Sequence, residues 1–243
     1  MKKKDLALLI IERLTDKYPD AICSLDYAEP WQLVIAVRLS AQCTDARVNI
    51  VTEKLFSKYP TMSAIAEADI DELTDMVRPC GLGASKARDI KQCMTELINA
   101  HSGKIPDTME ELLKLPGVGR KSANLILGDV YGQPAVVTDT HCIRITGRMG
   151  LTDGSKDPKK VEDQLRKILP PDRSNDFCHR LVLFGRETCT ARSPRCETCC
   201  CNDICRKKIS MHLIANSRMM TIKVNAHINV TIYIQQRRNH EKT

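Results

Sequence analysis

Apolar residues recur along this chain at helical spacing. Leu6, Leu9, Ile10 and Leu14 make one stripe near the start, with Arg13 beside it. Pro30 stands where a first helical residue is preferred, and Trp31 to Leu39 continues as a largely buried helix. The same period predicts helices over 46–59, 70–77, 85–100, 109–113, 121–131, 140–149, 158–169 and 175–187. Between them stand Pro60, Pro79, Gly81, Gly103, Pro106, Pro116, Gly132, Gly150 and Pro170-Pro171, residues that end or break helices. No repeat period stands out, and an all-α fold is expected. After Met211 the period changes to two, through Ile222, Val224, Ala226, Ile228, Val230, Ile232 and Ile234. A single strand has nothing to pair with in a helical chain, so residues 212–243 are read as an appended tail, disordered or associating, with no catalytic role.

Composition narrows the class. With 42% hydrophobic and 28% charged residues over 243 positions the chain can build real cores. No apolar run approaches the roughly 18 residues that span a bilayer. The apolar stretch behind Met1-Lys-Lys-Lys is stopped at once by Glu12 and Arg13, so no signal peptide is read. A soluble, cytoplasmic protein without membrane contact is expected. Aromatics at 4% favour helices over a β-sandwich or barrel. The formal charge of +7 invites a nucleic-acid partner, yet Arg206 to Thr243 carries eight Lys or Arg against one acid, which accounts for all of it. The case for DNA must therefore be made locally.

Six of the twelve cysteines fall between Cys189 and Cys205. In a chain without an export signal such a cluster points to metal or redox chemistry. Cys23, Cys43, Cys80, Cys93, Cys142 and Cys178 are scattered singly through apolar helical patterns and read as small buried hydrophobes.

The sharpest local signal is Leu115-Pro-Gly-Val-Gly-Arg-Lys-Ser-Ala123. Pro116-Gly117 suits the centre of a type II turn, and Gly119 lets the backbone approach a partner just before a helix starts. Successive N–H groups at such a turn form a phosphate site that needs no basic side chain. Directly behind comes Lys121, and eighteen residues later Asp139 in Thr138-Asp-Thr-His141. An amine must be neutral to attack a sugar carbon, and an ordinary lysine, with a pKa of about 10.4, is not. Burial and a helix N-terminus favour the neutral form while a nearby carboxylate opposes it. Asp139 can accept a proton or stabilise developing sugar charge. Each residue alone has a plainer reading, Asp139 as a helix cap and Lys121 as a solvated lysine.

Taken together, Leu115 to Gly119, Lys121, Val137-Thr-Asp-Thr-His141 and the cysteine array resemble the endonuclease III family of helix-hairpin-helix DNA glycosylases and abasic-site lyases. The likeness runs over about residues 1–210 and includes Leu39-Ser-Ala-Gln-Cys-Thr-Asp45 and Gly81-Leu-Gly-Ala-Ser-Lys-Ala87. Cys43 and Thr138 replace more usual small or aliphatic residues. The resemblance implies two helical domains with a DNA cleft between them: a six-helix domain over 22–132 holding the hairpin, and a cluster domain from 1–21 plus 133–211. It implies Lys121 and Asp139 as catalytic residues. It puts Leu115, Gly117, Val118, Gly119, Arg120 and His141 at DNA, with Gln42 filling the space of an extruded nucleotide and Leu82 wedging opposite it. Asp45 looks like a helix N-cap or a supporting carboxylate. The spacing Cys189-x6-Cys196-x2-Cys199-x5-Cys205 matches the family's cluster-binding array; four thiolates suit zinc or a four-iron cluster, and the resemblance selects [4Fe-4S]. Cys200 and Cys201 are surplus. The implied partner is double-stranded DNA with a damaged base or abasic site, met by a monomer, and the implied substrates are oxidised pyrimidines. Two rivals are an adenine-removing mismatch glycosylase of the same superfamily, which lacks the lysine at position 121, and a non-catalytic DNA-binding iron-sulfur protein, against which Lys121 and Asp139 together count.

Overall fold

How each helix is capped and which face it buries decides the architecture. The structure is a computed structural model and describes Met1–Arg206. Among these residues there are eleven α-helices and no strand: α1 (Lys3–Lys17), α2 (Pro30–Leu39), α3 (Asp45–Lys58), α4 (Met62–Glu67), α5 (Ile70–Val77), α6 (Gly83–His101), α7 (Met109–Leu112), α8 (Arg120–Tyr131), α9 (Thr140–Met149), α10 (Pro158–Arg166) and α11 (Ser174–Glu187). The all-α expectation holds. The tail 212–243 and its alternating stretch lie outside the described residues.

Helix α2 is central because it is apolar nearly all round. Pro30 occupies its first turn and Gln32 Oε1 accepts from the Glu29 N–H at 3.1 Å, which fixes its start. Trp31, Leu33, Val34, Ile35, Ala36, Val37 and Leu39 are buried, and the helix packs on α3, α6 and α8. The stripe on α1 is rotated slightly from the expected one. Ala7 and Ile11 join Leu6, Ile10 and Leu14 in the core, while Leu9 faces solvent.

The predicted helices over 70–77 and 140–149 match their observed bounds, and the 158–169 helix ends earlier, at Arg166. Helix α4 was not expected. Thr61 Oγ1 caps it by accepting from the Ala64 N–H at 3.1 Å; only Ile65 is fully buried, with Met62, Ala64 and Ala66 packed partly against the core, and a helix of 6 residues is too short for a period to show.

Helix α1 packs on α11, which also touches α8 and α9. The C-terminal loop is tied to α1 by Arg13, whose guanidinium donates to the Cys200 carbonyl at 2.7 Å and pairs with Asp203. The chain's two described ends therefore meet on one side of the fold. Met1–Arg206 form one compact unit.

Candidate active site

Helices α7 and α8 make the hairpin. Val118 N–H donates to the Leu115 carbonyl at 3.1 Å across Pro116-Gly117. Gly117 has φ +76, the left-handed value that the third position of a type II turn requires. A Cβ there would also lie 2.6 Å from Arg38 Cδ, so the glycine is needed twice over. Arg38 is held in place by Asp89 at 2.6 Å and braces the turn from behind. Gly119 differs: a Cβ on it would meet nothing within 4 Å, and the backbone in front of α8 stands open. Leu115 and Val118 are buried. Their side chains anchor the turn to the core and are not available to DNA. What the hairpin presents outward is the unpaired main-chain N–H groups at the start of α8.

Arg120, which the resemblance puts at DNA, has a partner within the chain as well. Its guanidinium makes a two-pronged pair with Glu162 at 2.7 and 2.9 Å, and Arg166 reaches the same carboxylate at 2.9 Å. Glu162 is fully buried. Burial pushes its carboxyl up, but the two guanidiniums outweigh that and hold it below the usual carboxylate range. A lowered folded-state pKa means that this stabilisation is present above the unfolded value of about 4.3 and is lost as pH falls through the lower folded value. Glu162→Gln should therefore cost about 1–3 kcal/mol at pH 7, discounted because both arginines keep water contact, and less at pH 3.5. Thermal melts at the two pH values check this; an equal deficit at both would show that the charge is not what matters.

Lys121, in the first turn of α8, and Asp139, at the start of α9, line the same cleft of about 760 Å³. The loop from Ser40 to Asp45 and the inner face of α11 complete its wall. Lys121 is exposed, and among the described residues its amine has no hydrogen bond or ion pair. Asp139 does cap α9, one carboxylate oxygen accepting from the Cys142 N–H at 2.7 Å. Its plainer reading is thus correct as geometry, and the same side chain faces the lysine's cleft. Cys23 and Cys43, expected as core residues, are half-buried and line this wall too. Burial raises the Cys23 thiol to about 12, so it stays protonated and offers no rival nucleophile.

Asp45 is not the N-cap. Thr44 is, with its Oγ1 3.4 Å from the Arg47 N–H, and Asp45 is the first helical residue. Its carboxylate accepts from Ser24 Oγ at 2.5 Å and Arg186 Nη2 at 2.6 Å, all three lining the cleft. Ser24 and Arg186 escaped the sequence reading because no local spacing links residues so far apart. His141 also lines the cleft. Its Nδ1 lies 3.1 Å from Arg144 Nη2, in space left by Gly185, whose Cβ would come within 2.2 Å. Burial pushes the His141 imidazole down, Asp139 pulls it up, and Arg144 and Arg186 add to the lowering, so it is neutral at neutral pH.

Gln42 and Leu82 share an unusual backbone, at φ 59 and 52. Left-handed conformation costs a residue with a Cβ roughly 1–2 kcal/mol. Gln42 lines the cleft, and Leu82 stands 60% exposed between two glycines at the head of α6. A large apolar side chain held strained in solvent serves nothing inside the chain.

The cysteine loop follows α11. Arg148 of α9 donates to Cys189 Sγ at 3.5 Å and to the carbonyls of Thr190 and Ala191 at 2.7 Å each. The Cys205 thiol donates weakly to the Arg148 carbonyl at 3.9 Å, so the first and last cysteines of the array meet at one arginine. Cys199 Sγ accepts from the Cys201 N–H at 3.4 Å. A hydrogen bond from the Cys201 thiol first, then its N–H and the nearby Lys17, hold the Cys199 thiol at about 6 against the upward push of burial. Cys189, Cys196, Cys199 and Cys205 are half-buried, whereas Cys201 is fully buried. Among the described residues no three ligating side chains stand together as a finished metal cage. The donor chemistry nonetheless fits an iron-sulfur cluster: four partly shielded thiols on one loop, with Arg148 beside them to balance an anionic group.

Comparison with known proteins agrees with this geometry. Residues 35–171 match the family model of the HhH-GPD superfamily base excision DNA repair proteins. Endonuclease III of Synechocystis sp. is 42% identical over 84% of this chain and 93% of its own length. That of Escherichia coli K12 is 38% identical over 83% and 95%. A trapped endonuclease III–DNA covalent intermediate superposes with a TM-score of 0.80 at 39% identity, covering 85% of this chain and 97% of that one. A thermostable thymine-DNA glycosylase, 20% identical with a TM-score of 0.76, shares the fold. Hairpin, lysine, cleft carboxylate and cysteine loop all stand within the region of likeness, and the chain belongs to the endonuclease III family of HhH-GPD base excision DNA repair proteins.

Proposed function

We infer that this chain is a bifunctional DNA glycosylase and abasic-site lyase of base excision repair. The observation that carries it is the convergence of an unpaired lysine and a carboxylate on one cleft, at the foot of a hairpin whose backbone faces outward. Double-stranded DNA lies across the cleft, between a proposed lobe of residues 22–132 and one of 1–21 plus 133–211, of which 207–211 lie outside the described residues. Packing of α1 on α11 supports that grouping. Main-chain N–H groups around Gly117 and Gly119 hold a phosphate, and the damaged nucleotide turns out of the stack. Extrusion costs a few kcal/mol and least at damaged pairs, so selection of the lesion begins there. The Lys121 amine, once neutral, attacks C1′ of the sugar and the base departs with the bonding electrons. Asp139 supports the positive charge that develops on the sugar and receives the proton that Lys121 gives up. Loss of the base leaves Lys121 bonded to C1′ of the closed ring; the C1′–O4′ bond then breaks, O4′ takes up a proton, and the opened sugar is held to Lys121 as a Schiff base. Removal of a 2′ proton then expels the 3′ phosphate by β-elimination. Oxidised pyrimidines are the proposed substrates and a monomer the proposed active form. Duplexes bearing different lesions, scored separately for base release and strand cleavage, test this: release without cleavage would favour a monofunctional glycosylase.

Cys189, Cys196, Cys199 and Cys205 are proposed to hold a [4Fe-4S] cluster, which when bound would supply a rigid, charged anchor for the loop that α1 and α9 grip. The purified protein should be brown, with four irons per chain on this reading. Cys199→Ser should lose the iron and Cys200→Ser should keep it. Iron retained in the first variant and lost in the second would place the ligand one position on.

A further inference from the structure

Lys86 takes no part in the chemistry above and does not line the cleft, yet it is fully buried. Its ammonium donates to the carbonyls of Leu39, Ala41 and Cys80, each at 2.8 Å. Three N–H donors meet three acceptors, so the group is satisfied without any carboxylate in ion-pair contact among the described residues. The acceptors explain how a buried cation is tolerated. Leu39 ends α2, and Cys80 ends the short 3-10 turn Arg78–Cys80, so both carbonyls belong to the negative ends of helical turns.

Those carbonyls stand where two separate loops leave their helical turns. Ala41 directly precedes Gln42, and Cys80 stands two residues before Leu82. Gln42 and Leu82 have left-handed backbone at φ 59 and 52, which among the described non-glycine residues only Ser102, where α6 ends, also has, and such conformations persist only where the surroundings over-determine the backbone. We propose that Lys86 is a positioning residue: by gathering the Leu39, Ala41 and Cys80 carbonyls onto one ammonium it fixes the separation of the two loops, so that Gln42 and Leu82 enter an opened base pair from a single rigid frame. This rests on the reading of Gln42 and Leu82 as duplex-entering residues. The step that depends on Lys86 is opening of the pair, and the amine chemistry of Lys121 is not touched by it.

The test compares substrates that do and do not require opening, using the full chain with Lys86→Met. On a duplex carrying an oxidised pyrimidine opposite 2-aminopurine, single-turnover excision at saturating protein should fall roughly tenfold or more, as expected when entering groups are misplaced by an ångström. The fluorescence rise on unstacking should fall with it. Nicking of an abasic site in single-stranded DNA, where no pair is opened, should stay within about twofold. Equal loss on both substrates would mean that Lys86 only holds up the fold, and no loss on either would mean that the loops do not need it; each overturns the proposal. Gln42→Ala and Leu82→Ala separate it from the reading beneath it. If neither lowers the fluorescence rise, that reading fails and takes this proposal with it. If they do and Lys86→Met does not, the positioning role alone fails. Should Lys86→Met not fold, Lys86→Arg, which keeps a cation and its donors at a different reach, must show the same selective loss on the duplex, and an even loss or none overturns the proposal.

Discussion

Lys121→Ala is expected to abolish nicking at abasic sites and borohydride trapping of the protein on abasic DNA, a loss of roughly a thousandfold or more, while duplex affinity changes by less than about threefold. The two expectations are independent because two different parts of the chain supply them. The covalent step needs an amine that can lose its proton and reach a sugar carbon, and Lys121 is the exposed, unpaired amine of the cleft. Phosphate binding is assigned to main-chain N–H groups at the hairpin, which alanine leaves in place, and to the open space at Gly119. Alanine also favours the helix, so α8 should not be weakened. Wild-type nicking by Lys121→Ala would remove the lysine from the mechanism. Loss of duplex affinity along with nicking would instead show that the amine contributes to grip, and that the backbone site was given too large a share.

Legibility followed distance along the chain. The type II turn at Pro116-Gly117 was readable because Pro and Gly carry their φ preferences locally, and the structure places Gly117 at the required positive φ. Helices long enough to repeat their apolar positions are readable to the residue, such as α9 and α5, where Ile70 and Met76 pack partly beside the buried Leu73 and Val77, whereas the shorter α4 is not. Arg120 shows the opposite limit. The resemblance puts it at DNA, and nothing within several residues of it signals Glu162, which meets it from another helix. The Asp45–Arg186 pair and the Lys86 clamp lie beyond local reading in the same way, because both join segments that only the folded chain brings together. Gln42 and Leu82 were singled out by family likeness, and the structure adds a physical reason in their strained, outward backbone.

Asp139 carries two roles that a single substitution can separate. As the N-cap of α9 it needs only an oxygen that accepts from the Cys142 N–H, and asparagine supplies one as well as aspartate does. As a partner of the reacting sugar it needs charge, which asparagine lacks. Asp139→Asn should therefore melt within about 0.5 kcal/mol of the wild type, bind duplex normally, and release damaged bases about a hundred- to ten-thousandfold more slowly. Asp139→Ala should show the same loss of excision together with about 1 kcal/mol of destabilisation from the missing cap. Single-turnover base release measured beside thermal melts of both variants gives the decision. Wild-type excision by Asp139→Asn would leave the residue a cap and nothing more. Equal destabilisation of both variants would show that the carboxylate's charge, and not only its oxygen, holds the start of α9, where a negative group faces the positive end of the helix dipole.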